Sequence, residues 1–437
     1  MLPRRDDERP PVLQSASWPR RVLNTLNVVT ARFSFDGAIA AGKPQPNRVP
    51  RWFDLSATAI FLLALPLYQI AINADCIVPF ARGGTIAAAL VVILMFSVAR
   101  LRALPERHFL SHEWIFALAL LWGMAIAIFQ YYSDVHDPVR QQMLVRAMHA
   151  VVLNVAIYAF VRAWILDVYS CALVALSGVI LGVLMLANSR QGDFVLMRPQ
   201  VNPTAVVNYM GFAPWLLIGG VFSLAIASRL ANKLCVFAWF SLLLFLNGAR
   251  SEFTSYLTIT FALVTATAIR VRNWKALALL VGLLVGAAIC LPPVSDAAQM
   301  GRSARLLRVT EETSWKSRLT LTANAVETIR RNPILGNYGS YARDGGSIGL
   351  YAHNVLSAWV DLGFVGFILY AYLGIALICK SMCIWWRKPF CPYVKMSLLA
   401  SFHLLIMSVF AKHHHYLFWG FAVGALSAAI IAGRGRH

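Results

Sequence analysis

Charge is what this 437-residue sequence has least of, and acidic charge is its scarcest form. Charged side chains make up 13% of the chain, where a soluble domain carries roughly 25%. Asp and Glu together number 19 against 39 Lys and Arg. That shortage argues against a soluble globular protein. It also leaves few carboxylates for a loop-borne metal site: Asp75 in one short connection, Asp134 and Asp137 in another. The seven cysteines, at 76, 171, 235, 290, 379, 383 and 391, form no obvious pair for a structural disulfide. Cys379, Cys383 and Cys391 lack the tight spacing of a zinc site. A Gly-rich nucleotide loop, a Gly-x-Ser-x-Gly turn and a 20–50-residue repeat are all absent, which removes the nucleotide-binding, serine-hydrolase and solenoid readings.

What is present is apolar length. Hydrophobic residues are 59% of the chain and mean hydropathy is +0.64. Twelve apolar runs recur, at about 53–73, 84–99, 113–132, 147–167, 169–187, 205–227, 233–248, 251–270, 275–292, 354–379, 394–411 and 415–433. Most are long enough to cross a hydrocarbon core of ~30 Å. The expected architecture is an all-α polytopic membrane protein of about 12 transmembrane helices. It divides into a basic tail over 1–51, nine spans over 52–292, one large outer loop over 293–353 and three spans over 354–437.

The net charge of +20 follows the membrane rather than a nucleic acid. With the first residues inside, the cytoplasmic side collects 24 Lys and Arg and the short outer connections 7. The positive-inside rule therefore predicts both termini in the cytoplasm. Residues 1–50 contain no continuous apolar core and do not read as a signal peptide. Trp18 to Phe33 fits an amphipathic helix on the inner membrane surface or a disordered tail equally well.

The outer loop breaks that charge pattern and so draws attention. It holds Arg302, Arg305, Arg308, Lys316, Arg318, Arg330, Arg331 and Arg343 against five acids. Such cations either face solvent or form an anion site. Trp315, Leu319, Thr322, Val326 and Ile329 recur at helical spacing and predict an amphipathic helix of about five turns, packed over the bundle. Asn332-Pro333 should stop it, with Gly336 and Gly339 in the turn that follows.

His353 is then expected in the first turn of the tenth span, followed by Asn354. With an ordinary pKa of ~6.5, an imidazole at a membrane edge exchanges protons at neutral pH. It reads either as a base or orienting group for a hydroxyl, or as an interfacial or capping histidine. Gly363 and Gly366 allow a neighbouring backbone to approach closely. Arg250, in a very short connection, and Arg198, just before a span, suit phosphate binding or snorkelling to lipid headgroups. The triplet His413-His414-His415 lacks the i, i+4 arrangement that converges on a metal, and substitution at His414 is expected to be mild.

Taken in order, these features resemble the O-antigen ligase and polymerase superfamily, and within it the O-antigen ligases of Gram-negative bacteria. Arg198 precedes Val201-Asn202-Pro203. Gly248-Ala249-Arg250-Ser251 resembles the family's Ser-Arg-Gly-like turn. Arg318 comes ahead of Arg331-Asn332-Pro333-Ile334-Leu335-Gly336-Asn337-Tyr338-Gly339, and His353-Asn354 ahead of Asp361, Gly363 and Gly366. Ala249 stands for the usual Ser, Asn337 for a Gly, and Asp361 for the usual Glu.

The resemblance implies a GT-C-like glycosyltransferase of the inner membrane, with its site facing the periplasm. It would move O-antigen polysaccharide from undecaprenyl diphosphate to lipid A–core oligosaccharide with inversion, needing no metal, nucleotide or other cofactor. His353 would be catalytic, Arg198, Arg250 and Arg318 would hold the diphosphate, and Asn354, Asp361 and Gly363 would support them. Rival readings are an O-antigen polymerase or protein O-oligosaccharyltransferase of the same superfamily. A lipid-linked glycan transporter or flippase is the rival of another class, for which the sequence offers neither repeats nor interrupted helices.

Overall fold

A bilayer interior offers no water to backbone N–H and C=O groups, so a chain this apolar is limited to helices or a closed barrel. Among the described residues the outcome is helix, and no strand occurs. The computed structural model describes residues 109–164, 209–270, 313–345 and 353–434, apart from 134, 228, 248, 412 and 413, with scattered positions within 56–98, 173–183 and 272–282.

Ten helices are delimited there: α1 Ser111–Tyr132, α2 Pro138–Ala163, α3 Tyr209–Ile226, α4 Leu230–Asn247, α5 Arg250–Arg270, α6 Thr313–Arg331, α7 Ser340–Gly345, α8 Leu356–Arg387, α9 Pro392–Phe410 and α10 Phe418–Arg434. Of these, α1, α2, α5, α8 and α9 are long and apolar enough to cross a membrane, while α3, α4 and α10 hold shorter apolar stretches. The runs expected at 53–73, 84–99, 169–187 and 275–292 lie largely outside the described residues. Two helices extend well past their expected runs: α2 begins at Pro138 where hydropathy suggests about 147, and α8 continues to Arg387 where it suggests about 379. Lys380 ends the apolar window without ending the helix, which runs about two turns further to Arg387. Lys380 donates to Ser111 Oγ at 2.8 Å at the start of α1.

The helices pack through small residues and aromatics. On α10, a Cβ at Gly420 would fall 2.1 Å from the Asn154 carbonyl of α2, so only glycine permits this approach. The Gly420 N–H donates to Asn154 Oδ1 at 2.9 Å. Trp164, Phe222 and Phe421 meet edge to face deep in the bundle. Arg162 and Glu113 form a buried ion pair at 2.6 Å between α1 and α2. A lone buried charge would be costly, and each partner compensates the other. Large apolar side chains such as Leu121, Phe129, Ile375 and Trp386 remain exposed on α1 and α8, an arrangement suited to lipid rather than water.

Helix α8 is interrupted, a feature the sequence did not announce. Gly363 has φ +69 and ψ −170, which breaks the helix after its second turn. A break frees backbone groups, and each must find a partner. The turn after α6 supplies them: Asn337 N donates to the Val360 carbonyl at 2.6 Å, and Phe364 N donates to the Pro333 and Ile334 carbonyls at 3.0 and 3.2 Å. The Leu362 carbonyl accepts from Trp122 Nε1 of α1 at 2.9 Å. Trp359 Nε1 also reaches the Pro333 carbonyl at 2.9 Å. A Cβ at Gly363 would lie 1.9 Å from the Ile334 oxygen, so here both the positive φ and the space require glycine. The close approach anticipated at Gly363 is thus made by a loop segment. Because 24 residues of α8 follow the break, about 36 Å at 1.5 Å per residue, it lies near one end of the span and not at the midplane.

Candidate functional site

The site is built where two chain segments, α6 and the turn before α8, meet the C-terminal end of α9. That end leaves carbonyls without helical partners. Arg318 of α6 donates from Nη1 to the Phe410 carbonyl at 3.3 Å. His353 places Nδ1 3.1 Å from the carbonyl of the next residue, Ala411. Both side chains therefore converge on consecutive peptide groups. A carbonyl only accepts, so Nδ1 carries the proton in this contact, and a neutral imidazole then holds its lone pair on Nε2.

His353 precedes α8 rather than occupying its first turn, because the helix begins at Leu356. Asn354 makes the local turn: its Oδ1 accepts from Leu356 N at 3.0 Å, and its Nδ2 lies 3.5 Å from Thr322 Oγ1 of α6. This ties the opening of α8 to the helix that carries Arg318, since Thr322 Oγ1 also bonds the Arg318 carbonyl at 2.8 Å.

Helix α6 spans the expected stretch and turns Thr322 and Ile329 of the expected stripe inward, but not Leu319 and Val326. Ala325 is buried against Val360 with Ile329 and Tyr341 beside it, while Leu319 and Val326 are 58% and 38% exposed. The inward face thus runs through Arg318, Thr322, Ala325 and Ile329. Periodicity assigns the bulkiest apolar residues to the interior. At a membrane the protein-facing side favours small residues, and lipid accepts the bulky ones.

Asp361 lies two turns into α8 and is fully buried. Its carboxylate accepts from Gly339 N at 3.0 Å and from Tyr341 OH at 2.6 Å, and it faces His414 Nδ1 at 3.6 Å. Tyr338 pairs with His415 Nε2 at 2.7 Å. Burial, and after it the charge of Asp361, holds the phenols of Tyr338 and Tyr341 well above their ordinary pKa. Both stay protonated and able to donate. His414 and His415 thus serve separate partners, and no group of three or more His, Cys, Asp or Glu positioned for a metal occurs among the described residues.

Of the remaining expected residues, Arg250 opens α5 and Arg198 lies outside the described residues. Helix α5 is pinned to α9 through Ser255 Oγ and His403 Nδ1 at 2.7 Å, and His403 Nε2 meets Tyr416 OH at 2.9 Å. The structure thus brings Arg318, His353 and Asn354 together directly, and Asp361 and Gly363 into the scaffold beneath them. It also adds Ser357, Tyr338, Tyr341, His403, His414 and His415, which the sequence reading did not assign. The available signal was the polar residues His353, Ser357 and Asp361 at four-residue intervals in an otherwise apolar run.

Comparison with known families places residues 235–371 within the model described as O-antigen ligase. The matched stretch contains Arg250, Arg318, His353, Asn354, Asp361 and Gly363, and ends before His414 and His415. It supports membership of the O-antigen ligase superfamily, and with it a glycosyltransferase-like enzyme in a multi-pass membrane protein. No curated protein matches the chain.

Proposed function

We propose that this protein is an O-antigen ligase, transferring polysaccharide from undecaprenyl diphosphate to a sugar hydroxyl of lipid A–core on the periplasmic face of the inner membrane. The observation that carries the reading is the meeting of Arg318 and His353 on successive carbonyls at the end of α9. One group is a permanent cation suited to a phosphate oxygen, and the other is an imidazole with its base nitrogen defined.

In this mechanism the acceptor hydroxyl lies against His353 Nε2. Its oxygen attacks the anomeric carbon of the lipid-linked sugar from the face opposite the diphosphate. The bond from that carbon to the diphosphate oxygen breaks, and the hydroxyl proton passes to Nε2. The anomeric configuration inverts, and undecaprenyl diphosphate departs with the bonding pair. Arg318, together with Arg250 and Arg198, stabilises the charge gathering on that leaving group. No step calls for a nucleotide or a metal. Asn354 and Thr322 keep the His353 turn and α6 in register, so that base and cation address one substrate.

The test uses purified protein with undecaprenyl-diphosphate-linked glycan, lipid A–core and a chelator. Laddered lipopolysaccharide is the expected product. Longer chains on the lipid carrier, with lipid A–core untouched, would instead make the protein a polymerase. That reading shares the donor and the cations and differs in acceptor.

A further inference from the structure

The connection from α9 to α10 carries the carbonyl that fixes His353, and it is held from both sides. Ala411 has left the helix, with φ −145 and ψ −29. Further along the connection, His414, His415 and Tyr416 are each anchored. His414 N donates to Ser357 Oγ at 3.2 Å, and His414 Nδ1 faces Asp361 Oδ2 at 3.6 Å. His415 Nε2 pairs with Tyr338 OH at 2.7 Å, and Tyr416 OH with His403 at 2.9 Å. From the opposite side, the partners are His353, just ahead of α8, and Ser357 and Asp361 within it, at intervals of four. His414 is 4% exposed and its ring packs against Tyr370. A pair of ionisable side chains this deep needs a purpose beyond filling space, because apolar residues would fill the volume at lower cost.

We infer that His414, held by Ser357 and Asp361, is a positioning residue for His353, setting the Ala411 carbonyl that selects the imidazole tautomer with its lone pair on Nε2. The inference rests on the transfer reading above. His414 touches neither substrate nor reacting atoms in this scheme. Its loss releases the Ala411 peptide, His353 rotates or exchanges tautomer, and proton acceptance from the hydroxyl suffers while donor binding at the arginines persists. The mild effect that sequence alone suggests for His414 is replaced by a large one.

The test compares full-length wild type with His414→Asn and Ser357→Ala. Ser357→Ala removes one hydroxyl acceptor and serves should His414→Asn fold poorly. Two readouts are taken: steady-state transfer kinetics, and 15N shifts of histidine-labelled protein without substrate, with His353 assigned by its disappearance in His353→Ala. The expected result is a kcat lowered about 10- to 100-fold, the scale of a small misplacement at a reacting centre, with an unchanged KM for the donor. The single Nδ1–H signature of His353 becomes a mixture of tautomers. A His353 signature unaltered in both variants overturns the inference, as does a loss confined to KM or a loss restored by zinc. A wild-type protein that transfers nothing while keeping the Nδ1–H signature would count against the transfer reading and leave the positioning contact standing.

Discussion

The two parts of α8 on either side of Gly363 belong to one helix by sequence position and to two different jobs by chemistry. The first, outer part, Leu356 to Leu362, continues the four-residue polar spacing that begins at His353 just ahead of the helix, with Ser357 and Asp361, and the backbone freed at the break bonds to the turn at 333–337. The inner part, Phe364 to Arg387, exposes Ile368, Tyr372 and Ile375 outward. Its buried polar contacts include Ser381 with Ser397 at 2.6 Å and Ser401 at 3.0 Å. The inner part is sufficient to cross a membrane, so the outer part is free to be interrupted. An interruption near a span end costs little if a loop replaces the lost partners, and it lets the turn that follows α6, the helix bearing Arg318, be stitched to the helix that bears Asp361.

The contrast can be broken most severely at Gly363 itself. Gly363→Ala combines an unfavourable φ with a collision against the Ile334 oxygen, and should destabilise the protein by about 3 kcal/mol or more, read as the thermal unfolding midpoint in detergent, with transfer abolished. Arg318→Ala should leave the fold intact and lower kcat/KM by about 100-fold, the scale of a lost donor at a developing anion. Arg318→Lys should recover little, because the guanidinium fork is absent. Tyr341→Phe removes one of the donors to buried Asp361 and should cost about 1–3 kcal/mol, visible as a lower unfolding midpoint. On the inner side, Ser381→Ala should cost only about 0.6 kcal/mol and leave transfer per folded molecule unchanged. A Ser381 effect as large as that of Tyr341 would erase the distinction between the two parts.

How much of this was legible in the sequence follows the same division. The inner part of α8, along with α1, α5 and α9, is a hydropathy signal, and apolar runs mark such helices directly. Helix α6 and its end at Arg331 follow from periodicity and the Asn332-Pro333 stop. Its inward face did not, since Leu319 and Val326 outrank Ala325 in any scale that equates apolar with buried. His353 and Arg318 were identified as candidates, but not that both reach the end of α9, because a contact across 92 and 58 residues leaves no local pattern. The interruption at Gly363 was invisible for a related reason. A glycine in an apolar run reads as close packing, and only the loop that fills the gap reveals a positive φ. His414 was weighed as a metal ligand by its immediate neighbours, while its partners lie at 357 and 361.

The central claim is that transfer depends on the His353 imidazole at the end of α9. The direct measurement is transfer by His353→Ala from undecaprenyl-diphosphate-linked glycan to lipid A–core, beside wild type, with donor binding measured on the same preparations. The account predicts intact donor binding and a rate lowered by about 100-fold or more, the range of a lost general base. Near-normal transfer by His353→Ala would contradict it.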